Sequence, residues 1–122
     1  MGRYYDGDIE GKFWFGVQSS AVGERFGCYD NSTNYVNYYT EDLEACQNEI
    51  KKIENTLGEY KEKFDEFFDE HNSYNDEMLV EYFGMEKDSV RKLLSEYADL
   101  EFGKKLEKCL IEQGYCEFSA EF

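Results

Sequence analysis

Residues 43–67 read LEACQNEIKKIENTLGEYKEKFDEF, and their apolar positions, Leu43, Cys46, Ile50, Ile53, Leu57, Tyr60, Phe64 and Phe67, follow one another at intervals of 3, 4, 3, 4, 3, 4 and 3. An α-helix brings such a series to one side, because positions three and four apart stack on the same face. The pattern predicts a helix of about 30 residues, on the order of 40 Å long at about 1.5 Å per residue. Its seam is narrow and must be covered, either by the rest of the chain or by a second copy, so a homodimer is the alternative to a self-covered helix. Thr40, followed by Glu41 and Asp42, reads as the helix start, with acids where the helix dipole favours them.

Upstream of this helix the period changes. In the run from Lys12 to Gln18, Phe13, Phe15 and Val17 alternate with Trp14, Gly16 and Gln18, which predicts a strand. Asp6-Gly7 is a turn signal after Arg3-Tyr4-Tyr5, so residues 3–17 are expected to form a hairpin or a tight entry into that strand. Ser19 to Asn34 is rich in Ser, Gly, Asn and Asp and reads as a loop. Asn34 to Tyr39 then restores β-favouring residues.

Downstream, Asn75 is placed to cap a short helix carrying Met78, Leu79, Tyr82 and Phe83, which Gly84 stops. Val90, Leu93, Leu94, Tyr97 and Ala98 mark another helix, and Phe102 through Ile111 a third, with Gly114 as its stop. Cys116, Phe118, Ala120 and Phe122 alternate with Glu117, Ser119 and Glu121, so the sequence closes on a strand. The expectation is a single α+β domain over residues 1–122. In it a small antiparallel sheet, made of the N-terminal strands and the C-terminal one, packs against one long helix and about three shorter ones.

Charge narrows the functional classes. Among 122 residues, 28 Asp and Glu stand against 13 Lys and Arg, a formal charge of −15, so the phosphate-neutralising clusters that nucleic acids and anionic membranes require are absent. Residues 41–80 hold thirteen acids and four bases, the largest share of the excess. Within them Glu59, Glu62, Glu66 and Asp69 recur at intervals of 3, 4 and 3, with Asp65 and Glu70 beside them. Such a row forms an anionic stripe roughly 15 Å long, able to imitate a short run of phosphates and to occupy a basic groove; Lys61 and Lys63 lie at helix spacing to offset part of it. The partner this implies is a basic protein surface. The plain alternative is a solvated face that serves solubility.

Motifs for catalysis are lacking: no metal, nucleotide or nucleophile signature occurs, and no cofactor is implied. Asp6, Asp8 and Glu10 alternate, so in an extended segment their carboxylates would share one side and could hold a hard cation. Tyr4, Tyr5, Trp14 and Tyr38 are the aromatic residues that could line a pocket for a planar ligand. Cys28, Cys46, Cys109 and Cys116 contain no Cys-x-x-Cys pair and read as buried reduced thiols. His71, at the end of the long helix, reads as a cation near a helix C-terminus rather than a catalytic base. No apolar run approaches the roughly 20 residues of a membrane span, and the opening lacks the apolar core of a signal peptide, so a cytoplasmic protein is expected.

Two stretches resemble known types. Residues 76–98, with Leu79-Val80-Glu81-Tyr82-Phe83-Gly84-Met85 leading into Ser89-Val90-Arg91-Lys92-Leu93-Leu94, resemble the helix-turn-helix of regulators and sigma factors. In this stretch Asp76, Glu77, Glu81, Glu86, Asp88 and Glu96 outnumber Lys87, Arg91 and Lys92, the reverse of what a DNA reader needs. The opening, Gly2 to Gln18, resembles that of small uncharacterised proteins from phage and metagenomic sequence, and in size and charge the chain resembles anti-CRISPR and other phage anti-defence proteins. That resemblance implies a non-catalytic inhibitor, acting in the host cytoplasm on a CRISPR effector or another nucleic-acid enzyme. Its contacts would be Glu59, Glu62, Asp65, Glu66, Asp69 and Glu70 with the N-terminal acids Asp6, Asp8 and Glu10. The competing readings are a nucleotide-signal binder using Tyr4, Tyr5, Trp14 and Tyr38, and a metal-dependent hydrolase using Asp6, Asp8 and Glu10.

Overall fold

The structure, a computed structural model, describes residues 4–14, 17–19, 21–30, 36–71 and 74–120. A five-stranded antiparallel sheet has the order β2-β1-β5-β4-β3, built from β1 (Tyr4–Gly7), β2 (Gly11–Lys12), β3 (Tyr29–Asp30), β4 (Val36–Thr40) and β5 (Cys116–Ala120). Among the described residues five helices accompany it: α1 (Val22–Arg25), α2 (Leu43–Leu57), α3 (Tyr60–Glu70), α4 (Asp76–Phe83) and α5 (Lys87–Gln113). The fold is α+β. The C-terminal strand lies between β1 and β4, with Tyr5 opposite Ala120 on one side and Tyr38 opposite Phe118 on the other. Its alternation is realised as expected: Cys116, Phe118 and Ala120 are buried, whereas Glu117 is exposed.

The helical layer departs from the expectation in a way that has a physical cause. The seam from Leu43 to Phe67 is real, and Cys46, Ile53, Leu57, Phe64 and Phe67 are all buried. The helix carrying it breaks at Gly58, whose φ of 54° and ψ of −129° cannot continue an α-helix and which caps α2 by donating its N–H to the Glu54 carbonyl at 2.8 Å. The long helix is instead α5. The two helices expected between Val90 and Ile111 are one element of 27 residues, because nothing between Ala98 and Phe102 stops it. Gly103, in its middle, serves packing: a Cβ there would lie 2.4 Å from the Phe26 ring. α2 lies along α5, and α3 and α4 also pack on it, so the seam is covered within the chain. That removes the unpaired seam as a reason for a second copy.

Three local expectations are also corrected. The strand predicted over Lys12 to Gln18 ends at Lys12; the N–H groups of Val17 and Gln18 both donate to the Trp14 carbonyl, and residues 15 and 16 lie outside the described ones. Gln18, beyond that strand, is buried: its Nε2 donates to the Ala98 carbonyl and to Asp99, both at 3.2 Å, and its Oε1 accepts from the Trp14 N–H. The stretch read as a loop from Ser19 contains α1 and β3, held by burial of Val22, Phe26 and Cys28, while residues 31–34 lie outside the described ones. Finally, Asp42 rather than Thr40 caps α2, its carboxylate accepting from the Ala45 N–H at 2.9 Å. Thr40 ends β4 and its hydroxyl accepts from the Asp42 N–H. Asn75, Gly84 and Gly114 cap as the sequence implies, Asn75 accepting from the Met78 N–H and both glycines taking left-handed backbones.

Candidate functional site

Helix α3 is where the acidic row becomes a surface. Its inner face is a lattice of rings: Phe64 lies 4.5 Å from Phe83 and 5.0 Å from Tyr97, Phe67 lies 5.2 Å from Tyr82, and Phe68 lies 5.3 Å from Trp14. Aromatic contacts on this scale bury large areas and fix the rotation of the helix about its axis. The opposite face is thereby directed to solvent, and Glu59, Glu62, Asp65, Glu66, Asp69 and Glu70 are all exposed on it. From Glu59, just before α3, to Asp76, Glu77 and Glu81 of α4, the sequence holds nine acids against Lys61 and Lys63.

The row is not uniform. Asp65 is tied into the protein, accepting from the Tyr97 hydroxyl at 2.7 Å and pairing with Lys61 at 3.1 Å. Partial burial pushes its carboxyl up, but the Tyr97 and Lys61 contacts outweigh that and hold it below the usual carboxylate range. Among the described residues, no lysine or arginine forms an ion pair with Glu59, Glu62, Glu66, Asp69 or Glu70. Tyr82 stands beside Glu66 and Glu70, and partial desolvation together with those carboxylates raises its phenol above the ordinary value. His71 closes the helix: its ring stacks on Phe67 at 4.4 Å and its Nδ1 donates to the Phe67 carbonyl at 2.9 Å. Its role is that of a C-terminal cap.

The helix-turn-helix-like corner is present as α4, Gly84 and the start of α5, but two of its three cations, Lys87 and Arg91, are occupied. Asp76 pairs with Lys87 at 3.4 Å and with Arg91 at 3.2 Å. Val90, Leu94 and Tyr97 are buried, and of Lys87, Arg91 and Lys92 it is Lys92 alone that forms no ion pair among the described residues.

The N-terminal acids occupy a different layer. Asp6 lies in β1 opposite Ser119. Asp8 extends the same ladder, donating its N–H to the Glu117 carbonyl and accepting the Glu117 N–H on Oδ2, each at 2.9 Å. Lys105 donates to the Glu10 carbonyl at 3.2 Å and to the Tyr5 hydroxyl at 2.9 Å. Among the described residues, Asp6, Asp8 and Glu10 do not bring their carboxylates together as a cation site; Asp8 instead converges with Cys109 and Cys116. The three-carboxylate hydrolase centre is therefore not formed.

Nor do the four aromatic residues form a pocket. Tyr5 packs against Phe13, Phe102 and Phe118, and Tyr38, 1% exposed, packs against Phe118, so both fill the core between sheet and helices. Trp14 belongs to a separate cluster with Phe68, Tyr74 and Tyr97. Tyr4 alone of the four is exposed, with Lys12 above its ring. Alternation and ring count find such residues but cannot tell a core from a pocket.

Two polar clusters escaped the sequence reading. Arg25, in the stretch read as loop, forks to Glu49, Glu96 and Asp99 at 2.8, 2.6 and 2.8 Å and so ties α1 to α2 and α5. Burial raises the Asp99 carboxyl in spite of Arg25 and Gln18. The cysteines are the second cluster. All four are free and buried, and burial pushes the Cys28 and Cys46 thiols up to about 12 and that of Cys116 further. The Cys109 and Cys116 sulfurs and an Asp8 oxygen all lie within 4.8 Å of one another. Six residues, Gly114 of the turn among them, separate the two cysteines, a spacing outside the familiar metal motifs.

No helix among the described residues is long and apolar enough to cross a membrane. Comparison of the chain with protein-family models, curated proteins and solved structures finds no match.

Proposed function

We propose that this protein is a non-catalytic inhibitor of the phage anti-defence, anti-CRISPR-like type, which binds a basic surface of a nucleic-acid-handling protein and blocks it. The observation that carries the reading is the row Glu59, Glu62, Glu66, Asp69 and Glu70, exposed and without cationic partners among the described residues, on a helix whose other face is locked by rings. A rigid helix presents these carboxylates from fixed backbone positions, so that only side-chain rotamers are left to be ordered on binding, which limits the entropic cost of association. Their common sign steers encounter and fixes orientation. Asp65, already held by Tyr97 and Lys61, supports the row more than it contributes to the field.

The test begins with capture from a bacterial lysate at low and at high salt, followed by purification of the nucleic-acid enzyme recovered. Binding of that enzyme is expected to weaken by at least about tenfold between roughly 0.05 and 0.5 M salt, as screening shortens the Debye length. The triple substitution Glu62→Lys, Glu66→Lys and Asp69→Lys is expected to slow association and weaken binding by about 100-fold or more. Affinity unchanged in the triple variant would overturn the assignment of the α3 row.

A further inference from the structure

The geometry points to a zinc site formed by Cys109, Cys116 and Asp8, with its fourth coordination position open to solvent. It is independent of the α3 row and would stand or fall separately. Cys109 lies on the last turns of α5 and Cys116 opens β5; Gly114, with φ of 84°, reverses the chain between them and lets the two thiols approach. Asp8 arrives from the other side. Gly7 runs so close to β5 that a Cβ on it would lie 2.8 Å from the Glu117 carbonyl oxygen and from the Phe118 Cα, and the next residue is thereby set against Glu117. One Asp8 oxygen is occupied by the Glu117 N–H, which orients the carboxylate and leaves the other oxygen for a metal.

The donor set selects the ion. Two thiolates disfavour Mg2+ and Ca2+, whereas a carboxylate beside them suits a borderline cation such as Zn2+ better than a purely thiophilic one. With Zn–S near 2.3 Å and Zn–O near 2.0 Å, the edges of a tetrahedral site are about 3.5 to 3.8 Å. The three donors, already within 4.8 Å, therefore need only small side-chain rotations.

The surroundings fit as well. A groove of about 260 Å3, lined by Asp8, Cys109, Lys105, Lys108, Glu112 and Gln113 among others, gives an entry path and room for a water on the fourth position. Zn2+ with two thiolates and one carboxylate carries a net charge of −1, and Lys105 and Lys108 stand beside it. The Gln113 amide donates to the Cys109 sulfur at 3.4 Å, an outer contact of the kind that orients metal ligands. Binding forms two Zn–S bonds and one Zn–O bond and releases the two thiol protons to solvent; one of these is the proton that Cys109 shares with the Tyr115 carbonyl. No electron is transferred.

Co2+ titrated into the reduced full-length chain is the direct probe. One equivalent should produce a thiolate-to-cobalt charge-transfer band and the visible bands of a tetrahedral ion, both bleached by Zn2+. Cys109→Ser and Cys116→Ser should each abolish the charge-transfer band, Asp8→Asn should weaken binding by roughly tenfold or more, and Cys46→Ala should leave the band in place. Because Cys116 is wholly buried and its substitution can disturb folding, X-ray absorption at the zinc edge of the unaltered protein provides a second readout. Two sulfur and two light-atom neighbours are expected. A first shell without sulfur, the absence of any charge-transfer band, or a band that survives Cys109→Ser would overturn the site.

Discussion

The outer face of α3 and the corner between β1, α5 and β5 treat polar groups in opposite ways. On α3 the rings face inward and the carboxylates stand in water, all but Asp65 without an ion pair to the rest of the protein among the described residues. At the corner two of the three donors are buried, Cys116 completely and Cys109 to 7% exposure, while Asp8 is exposed beside them and lysines occupy the rim. The first arrangement acts through a field extending over about a Debye length and is indifferent to ångström shifts. The second acts only at bonding distance, so its function depends on how closely the backbone packs. Alterations of packing should therefore be costly where backbones and rings crowd around α5, and alterations of charge should be nearly silent on α3 until a partner is present.

The largest effect is expected at Gly103, where α5 presses on Phe26. A Cβ at this position would fall 2.4 and 2.6 Å from two Phe26 ring carbons, and that ring is fully buried, in contact with Phe102, and has little room to move. Gly103→Leu should lower stability by about 3 kcal/mol in urea unfolding, the upper part of the usual overpacking range. Combined with Phe26→Ala, which vacates the space, it should cost clearly less than the sum of the two single changes, a coupling read from the double-mutant cycle. Additive costs would place the strain elsewhere.

A smaller effect is expected where the α3 row is anchored. The Asp65 carboxyl lies below its ordinary value in the folded state, so its contribution is present above pH about 4 and is lost as pH falls through the lowered folded-state value. Tyr97→Phe removes the hydroxyl that donates to Asp65. It should cost about 1 kcal/mol at pH 7, a hydrogen bond to a charged group discounted for the exposure of that group. Near pH 2.5 the difference between the variant and the parent should shrink, because Asp65 is then protonated in more of the folded molecules. A cost that is equal at both pH values would mean that Tyr97 acts through ring packing alone.

How much of this was legible beforehand follows the same division. The seam from Leu43 to Phe67 was visible because α2 and α3 each touch the interior with a single stripe. In the sequence α5 reads as two helices because it has no single stripe: Val90, Leu94, Leu100, Phe102 and Leu106 point to different neighbours, since helices and sheet enclose it from several sides. Gly58 is the opposite case, a local stop signal inside a periodicity that runs straight through it. The acidic row could be listed residue by residue, because spacing along one helix determines it. The Asp8, Cys109 and Cys116 corner could not, since 101 positions separate Asp8 from Cys109 and only the pairing of β1 with β5 brings them together. Arg25 was lost for the same reason, its three partners lying on α2 and α5.

The smallest effect is expected from the changes that matter most for the proposed function. Glu62→Lys, Glu66→Lys and Asp69→Lys alter exposed side chains without cationic partners among the described residues, so each should change stability by no more than about 0.5 kcal/mol. The sign of the sum carries information. The protein has a formal charge of −15, and three reversals bring it to −9, so mutual repulsion in the folded state falls and the triple variant should be equally stable or slightly more so at low salt. That gain should fade as salt is added, because screening already relieves the parent. Thermal unfolding at two salt concentrations reads both. A triple variant that is markedly less stable at low salt would show that the carboxylates support the helix itself, and the row would then be part of the scaffold rather than a face kept free for a partner.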